Sequence, residues 1–160
     1  MKKLWTDVIC ALEGKTLVTA ESCTGGGIGS ALTSVPGSSA VYKGGVICYT
    51  NWVKEHILGV AHSLLEQYGA VSLPVAEAMA RGAANALKAD IAVSVTGLAG
   101  PDGDEFGNPV GTVFIGCHSP WREETREYHF SGDRAAVREQ AVIAALELVL
   151  EILTAEKKGE

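Results

Sequence analysis

Lys15-Thr16-Leu17-Val18-Thr19-Ala20-Glu21-Ser22-Cys23-Thr24-Gly25-Gly26-Gly27-Ile28-Gly29-Ser30-Ala31-Leu32 is the stretch that decides the fold class. Its first six residues, Lys15 to Ala20, are short, apolar and β-branched at Thr16, Val18 and Thr19, the composition of a buried strand. Three glycines then turn the chain, and Ile28, Ala31 and Leu32 recur at helical spacing. A buried strand that passes through a glycine turn into a helix is the opening half of an α/β unit.

Working outward, Trp5, Val8, Ile9 and Leu12 form the apolar face of a first helix that Gly14 ends. Pro36-Gly37 stops the helix after the glycine turn. Gly44 to Thr50 reads as a second strand, and Asn51 can cap a short helix holding Trp52, Val53 and Ile57. Val60 to Gly69 fits a short helix or a loop. Ser72 with Pro74 starts a longer helix, with Val75, Met79, Ala83 and Leu87 inward and Glu77, Arg81, Asn85 and Lys88 outward. Strands are expected at Ile91 to Thr96, Val110 to Cys117 and Glu124 to Phe130, the last two joined through Ser119-Pro120-Trp121. Asp133 caps a final helix whose inner stripe is Val137, Ala141, Ala144, Leu148 and Ile152. Strands alternating with helices in this order imply a mixed sheet with helices on both faces. One domain spans 1–160, with 155–160 expected to fray.

Composition narrows the function. The chain has 160 residues, 47% hydrophobic and 20% charged, with net charge −6. Without a basic stripe, nucleic acid is disfavoured as a partner, and an anionic ligand must be held locally. Cys10, Cys23, Cys48 and Cys117 form no CxxC and stand beside no His pair, so they read as reduced thiols of a cytoplasmic protein. Asp7 and Glu13 interrupt the first apolar region, which argues against a signal peptide, and no apolar run spans a membrane.

Open α/β sheets hold ligands beyond the carboxyl ends of their strands. Three such ends carry small polar residues: Ala20 to Gly26, Tyr49-Thr50-Asn51 with Lys54, and Ser94-Val95-Thr96-Gly97. At the first, Thr24, Gly25 and Gly26 could cradle a phosphate with backbone N–H groups; alternatively the glycines let a helix pack closely. A dinucleotide fingerprint fits poorly, because no Asp or Glu lies between Glu21 and Glu55 to hold a ribose. At the second, Ser39 could be a nucleophile, Lys54 a desolvated base and Tyr49 a proton relay. On spacing alone, Lys54 reads more simply as a solvated lysine and Ser39 as a loop residue. Cys23 and Cys48 are rival nucleophiles without a His partner, and they fit small buried residues better. Asp102 to Gly107 fails as a calcium loop, because Phe106 takes a ligand position. Arg134 opposes the dipole of the helix it begins, so it either meets an anionic substrate group or pairs with Asp133 or Glu139.

Six motifs then occur in one order: Ala20-Glu21-Ser22-Cys23-Thr24-Gly25-Gly26, Pro36-Gly37-Ser38-Ser39, Gly69-Ala70-Val71-Ser72, Gly97-Leu98-Ala99-Gly100-Pro101-Asp102-Gly103, Pro109-Val110-Gly111-Thr112-Val113 and Phe130-Ser131-Gly132-Asp133-Arg134. In this order they resemble the CinA C-terminal domain family, whose stand-alone members are nicotinamide-nucleotide amidohydrolases. The resemblance covers nearly the whole chain. It implies a three-layer α/β/α sandwich with a mixed, mostly parallel sheet of about five strands. It implies hydrolysis of nicotinamide mononucleotide to nicotinate mononucleotide and ammonia, without metal or cofactor. The family's catalytic Ser, Tyr and Lys fall on Ser39, Tyr49 and Lys54, and its other site residues on Ser22, Thr96 and Arg134. A silent nucleotide-binding module and an amidohydrolase of another carboxamide remain as alternatives. A homodimer is the default assembly.

Overall fold

The computed structural model describes residues 1–159. Helix α1 (Lys2–Leu12) buries Trp5, Val8 and Leu12, and a left-handed Glu13 followed by Gly14 ends it. The chain then enters β1 (Leu17–Glu21), buried at every position. It leaves through the glycine turn into α2 (Gly27–Thr33). A single 3-10 turn (Ser38–Ala40) precedes β2 (Tyr42–Ile47). Three helices follow, α3 (Asn51–His56), α4 (His62–Tyr68) and α5 (Leu73–Leu87). The last part of the chain is β3 (Ile91–Gly97), β4 (Thr112–His118), β5 (Glu123–His129) and α6 (Arg134–Lys157).

The sheet order is β2-β1-β3-β4-β5. The β1–β2 and β1–β3 ladders are parallel; the β3–β4 and β4–β5 ladders are antiparallel. Four of the five strands therefore point one way, and only β4 runs against them. One apolar cluster joins α1, α2 and α6 to one face through Leu17, Val93, Val95 and Ile115. A second joins α5 to the other face through Val18, Ala20 and Ala92, with Leu58, Val60 and Leu65 around it. Such two-sided burial is why β1 and β3 read as continuous apolar runs and not as alternating ones. Gly82 of α5 marks the closest approach, since a Cβ there would lie 1.9 Å from the Leu58 carbonyl oxygen.

Several expected boundaries shift. β2 begins two residues earlier than its apolar pattern suggests and ends at Ile47, because Cys48 to Thr50 leave the sheet to enter α3. Thr50, not Asn51, caps α3: its Oγ1 accepts from the Val53 N–H at 3.4 Å. The 60–69 segment folds as α4, and Gly69 ends it at φ +79°. The tail expected to fray from 155 is helical through Lys157, with Ala155 buried. Asp133 caps α6 as expected, accepting from Ala136 N–H at 2.9 Å. Among the described residues no helix is long and apolar enough to cross a membrane.

Candidate active site

β1 lies between β2 and β3, so the chain reaches its two neighbours on opposite sides. A crevice opens at the carboxyl ends of strands where the connections diverge in this way. The hydrogen bonds fix what lines it. Glu21 pairs with Ile47, and the Cys48 N–H donates to the Glu21 carbonyl at 2.9 Å. The Ser22 N–H donates to the Val95 carbonyl at 3.0 Å. Cys48, Ser22 and Thr96 therefore stand side by side across one end of the sheet. A cavity of about 280 Å³ lies over Ser22 and Thr96, lined also by Cys23, Tyr49, Asn51, Lys54, the Gly97 to Gly100 loop, Asp102 and Arg134.

Lys54 projects from α3 into this end and is 1% exposed. Its Nζ donates to the Cys48 carbonyl at 2.8 Å and lies 3.2 Å from Ser22 Oγ. Among the described residues no carboxylate pairs with it. Burial pushes its pKa below the ordinary lysine value, with the thiols of Cys48 and Cys23 opposing weakly. Desolvation without a counter-charge favours the neutral amine, and a neutral amine has a lone pair free to take the Ser22 hydroxyl proton. Ser22 is 8% exposed, so it is shielded yet reachable from the cavity. Cys23 and Cys48 are poor rivals, because burial raises each thiol to about 11 and keeps it protonated.

The mouth of the cavity is built differently. Tyr49 is 58% exposed, and its hydroxyl accepts from Arg134 Nη2 at 3.2 Å. Arg134 Nη1 donates to the Gly100 carbonyl at 2.7 Å. Arg134 pairs with neither Asp133 nor Glu139. Its guanidinium instead reaches from the start of α6 across the cavity to the β3–β4 loop. Thr96 is buried, and its Oγ1 donates to the Ala70 carbonyl at 2.8 Å.

Of the expected site residues, Ser22, Tyr49, Lys54, Thr96 and Arg134 come together. Ser39 does not join them and is absent from the cavity lining. It is exposed on the 3-10 turn before β2, whereas Tyr49 and Lys54 follow β2. The six residues of β2 put roughly 17 Å between the two ends, at about 3.3 Å per residue. Thr24, Gly25 and Gly26 lie outside the cavity lining. Buried Glu21 already fills the place an anion would take. Its carboxylate accepts from Thr24 Oγ1 at 2.8 Å, Ile28 N at 2.7 Å and Gly29 N at 3.0 Å. Gly26 is needed at φ +101°, and a Cβ on Gly27 would lie 3.0 Å from Val142 of α6. The glycines thus serve the turn and close helix packing.

Two positioning residues escaped the sequence reading. One is Glu21. The other is Arg138, which donates to the carbonyls of Cys23 at 3.0 Å and Thr24 at 3.2 Å and ties the Ser22 turn to α6. An arginine one residue beyond the inward Val137 was the available signal. The Asp102 to Gly107 loop closes on itself: Asp104 accepts from the N–H groups of Phe106 and Asn108.

The profile described as the CinA C-terminal domain matches residues 3–153. Nicotinamide-nucleotide amidohydrolase PncC of Pseudomonas putida is 51% identical over 138 residues, 86% of each chain. The PncC of Enterobacter agglomerans is 46% identical over 153 residues, 94% of this chain and 93% of that one. The crystal structure of competence damage-inducible protein A (ComA) from Klebsiella pneumoniae subsp. pneumoniae MGH 78578 superposes with a TM-score of 0.93. It is 37% identical and covers 96% of both chains.

Proposed function

The chain belongs to the CinA C-terminal domain family, and from that membership and the cavity geometry we propose that it is a cytoplasmic nicotinamide-nucleotide amidohydrolase with Ser22 as nucleophile and Lys54 as base. The observation that carries this reading is the 3.2 Å contact between Ser22 Oγ and a buried, carboxylate-free Lys54 Nζ.

A serine hydroxyl is a weak nucleophile until a base takes its proton. Lys54 receives that proton directly as Ser22 Oγ bonds to the carboxamide carbon. Tyr49 is therefore not required as a relay. The tetrahedral intermediate collapses as the C–N bond breaks, and the proton on Lys54 passes to the departing nitrogen, which leaves as ammonia. Water then attacks the Ser22 ester, Lys54 takes one of its protons, and Ser22 regains a proton as the carboxylate product departs. The Cys48 carbonyl holds the amine in place through all these steps. Burial does the rest, by pulling the amine's pKa below the ordinary lysine value and so enlarging the fraction that can accept a proton.

At the mouth, Arg134, whose charge meets no carboxylate among the described residues, is the cation for the substrate phosphate, and Tyr49 sets its direction. Thr96 supplies a small polar wall beside the reacting group. Binding energy from the phosphate would then position the carboxamide over Ser22, which is how remote groups raise turnover.

The test is ammonia release from nicotinamide mononucleotide by the purified protein with EDTA present. Release from the mononucleotide, with much slower release from free nicotinamide, is the expected result. Binding of the mononucleotide by calorimetry without ammonia would instead indicate a silent binding module. Equal rates with and without the nucleotide portion would indicate an amidohydrolase of another carboxamide.

A further inference from the structure

The polar groups around the cavity divide into those already engaged and those left free. Ser22 faces Lys54, Thr96 bonds to Ala70, and Tyr49 and Arg134 bond to one another. Asp102 is the one acidic side chain in the lining, and its carboxylate has no hydrogen bond or ion pair among the described residues, although Arg134 lines the same cavity. It is exposed on the β3–β4 loop, whereas Ser22, Lys54 and Thr96 are buried at the floor. Asn51 is also free, but an amide both donates and accepts and so selects little.

A carboxylate accepts hydrogen bonds and repels phosphate. On the reading above, the floor takes the carboxamide and Arg134 takes the phosphate. The donors a pyridine mononucleotide then has left are its two vicinal ribose hydroxyls. We propose that Asp102 is a specificity-determining residue that accepts both ribose hydroxyls at the cavity mouth. Acidic side chains recognise ribose in this manner at the strand ends of other α/β folds. The residue thus sorts ribonucleotide carboxamides from equally charged carboxamides that have no diol. This inference rests on the proposed function of the cavity.

The experiment is a cycle of two proteins and two substrates. Ammonia release is measured for wild type and Asp102→Ala on nicotinamide mononucleotide and on its 2′,3′-dideoxy analogue. Asp102 is exposed and bonded to nothing, so the variant should melt with wild type; Asp102→Asn, which keeps an acceptor, serves as a milder second variant. The expected result is a roughly tenfold loss of kcat/KM for Asp102→Ala on the mononucleotide, mostly in KM, from losing a hydrogen bond to a charged group. The analogue should cost wild type a similar factor, and the variant should lose nothing further on it. An equal penalty on both substrates would place the carboxylate elsewhere, against the pyridinium charge, and overturn the proposal. So would an unaffected variant while wild type turns over. Wild type that releases no ammonia from the mononucleotide would remove the underlying reading first, and this one with it.

Discussion

Ser22 and Ser39 sit at opposite ends of the same pair of parallel strands. Ser22 follows β1 and Ser39 precedes β2, and a sheet length separates them. The carboxyl end holds Lys54 and a cavity, while the amino end holds an exposed 3-10 turn. In a parallel pair the two ends are chemically unequal, because every crossover returns its helix to one end before the next strand begins. A serine's chemistry here follows from which end it occupies.

The largest effect that could break this contrast comes from the serines themselves. Ser22→Ala should lose roughly a millionfold in kcat, the scale seen when a catalytic serine nucleophile is removed. Ser39→Ala should stay within about twofold of wild type. Steady-state ammonia release on both variants decides it, and the reverse ranking would return the nucleophile to the amino end.

Lys54→Met should be nearly as inactive, yet it should melt no lower than wild type at neutral pH. The sign follows from linkage. Burial lowers the folded-state pKa of Lys54 below its unfolded value, so the unfolded chain binds more protons and wild-type stability rises with pH across that window. Methionine removes the penalty, so its advantage should narrow as pH climbs toward the ordinary lysine range. For wild type, kcat/KM should rise with pH along one limb whose midpoint lies below 10.5. Thermal melts and a pH–rate profile check both. A limb at or above the ordinary value would mean that Lys54 is not desolvated in solution.

Arg134→Ala should cost roughly tenfold to a hundredfold in kcat/KM on the mononucleotide and little on free nicotinamide, since it removes a charged contact to a remote group. An equal loss on both would assign Arg134 to holding the loop at Gly100. The smallest effect should come from Glu21→Gln. The amide nitrogen replaces one of the two acceptor oxygens and leaves either the Ile28 or the Gly29 N–H facing a donor, so about 2 kcal/mol of stability should go, read from urea unfolding. Activity per folded molecule should change far less than in the serine and lysine variants.

Much of the architecture was legible because it depends on local pattern. β1 and β3 declare themselves as apolar runs, α5 and α6 as stripes that begin after Ser72 and after the Asp133 cap, and the glycines as a turn. The site was legible as a set of polar strand ends. What could not be read is which ends meet. Ser22 and Lys54 are 32 residues apart, and only the placement of β1 beside β2 brings them into contact. Ser39 is nearer to Lys54 along the chain but farther in space. The Gly25 to Gly27 turn misled for a related reason. It has the form of an anion cradle, yet Glu21, from the strand that enters it, already supplies the anion. Arg138 joins the turn from 115 residues away, beyond the reach of any local signal.

The central claim is that the acyl group passes through Ser22, and a quenched single turnover tests it most directly. Excess enzyme is mixed with nicotinamide mononucleotide, stopped in acid and digested, and the acylated peptide is identified by mass spectrometry. The account predicts a nicotinoyl mononucleotide ester on the peptide that carries Ser22, absent from Ser22→Ala and kept by Ser39→Ala. The same ester on the peptide that carries Ser39 would contradict it.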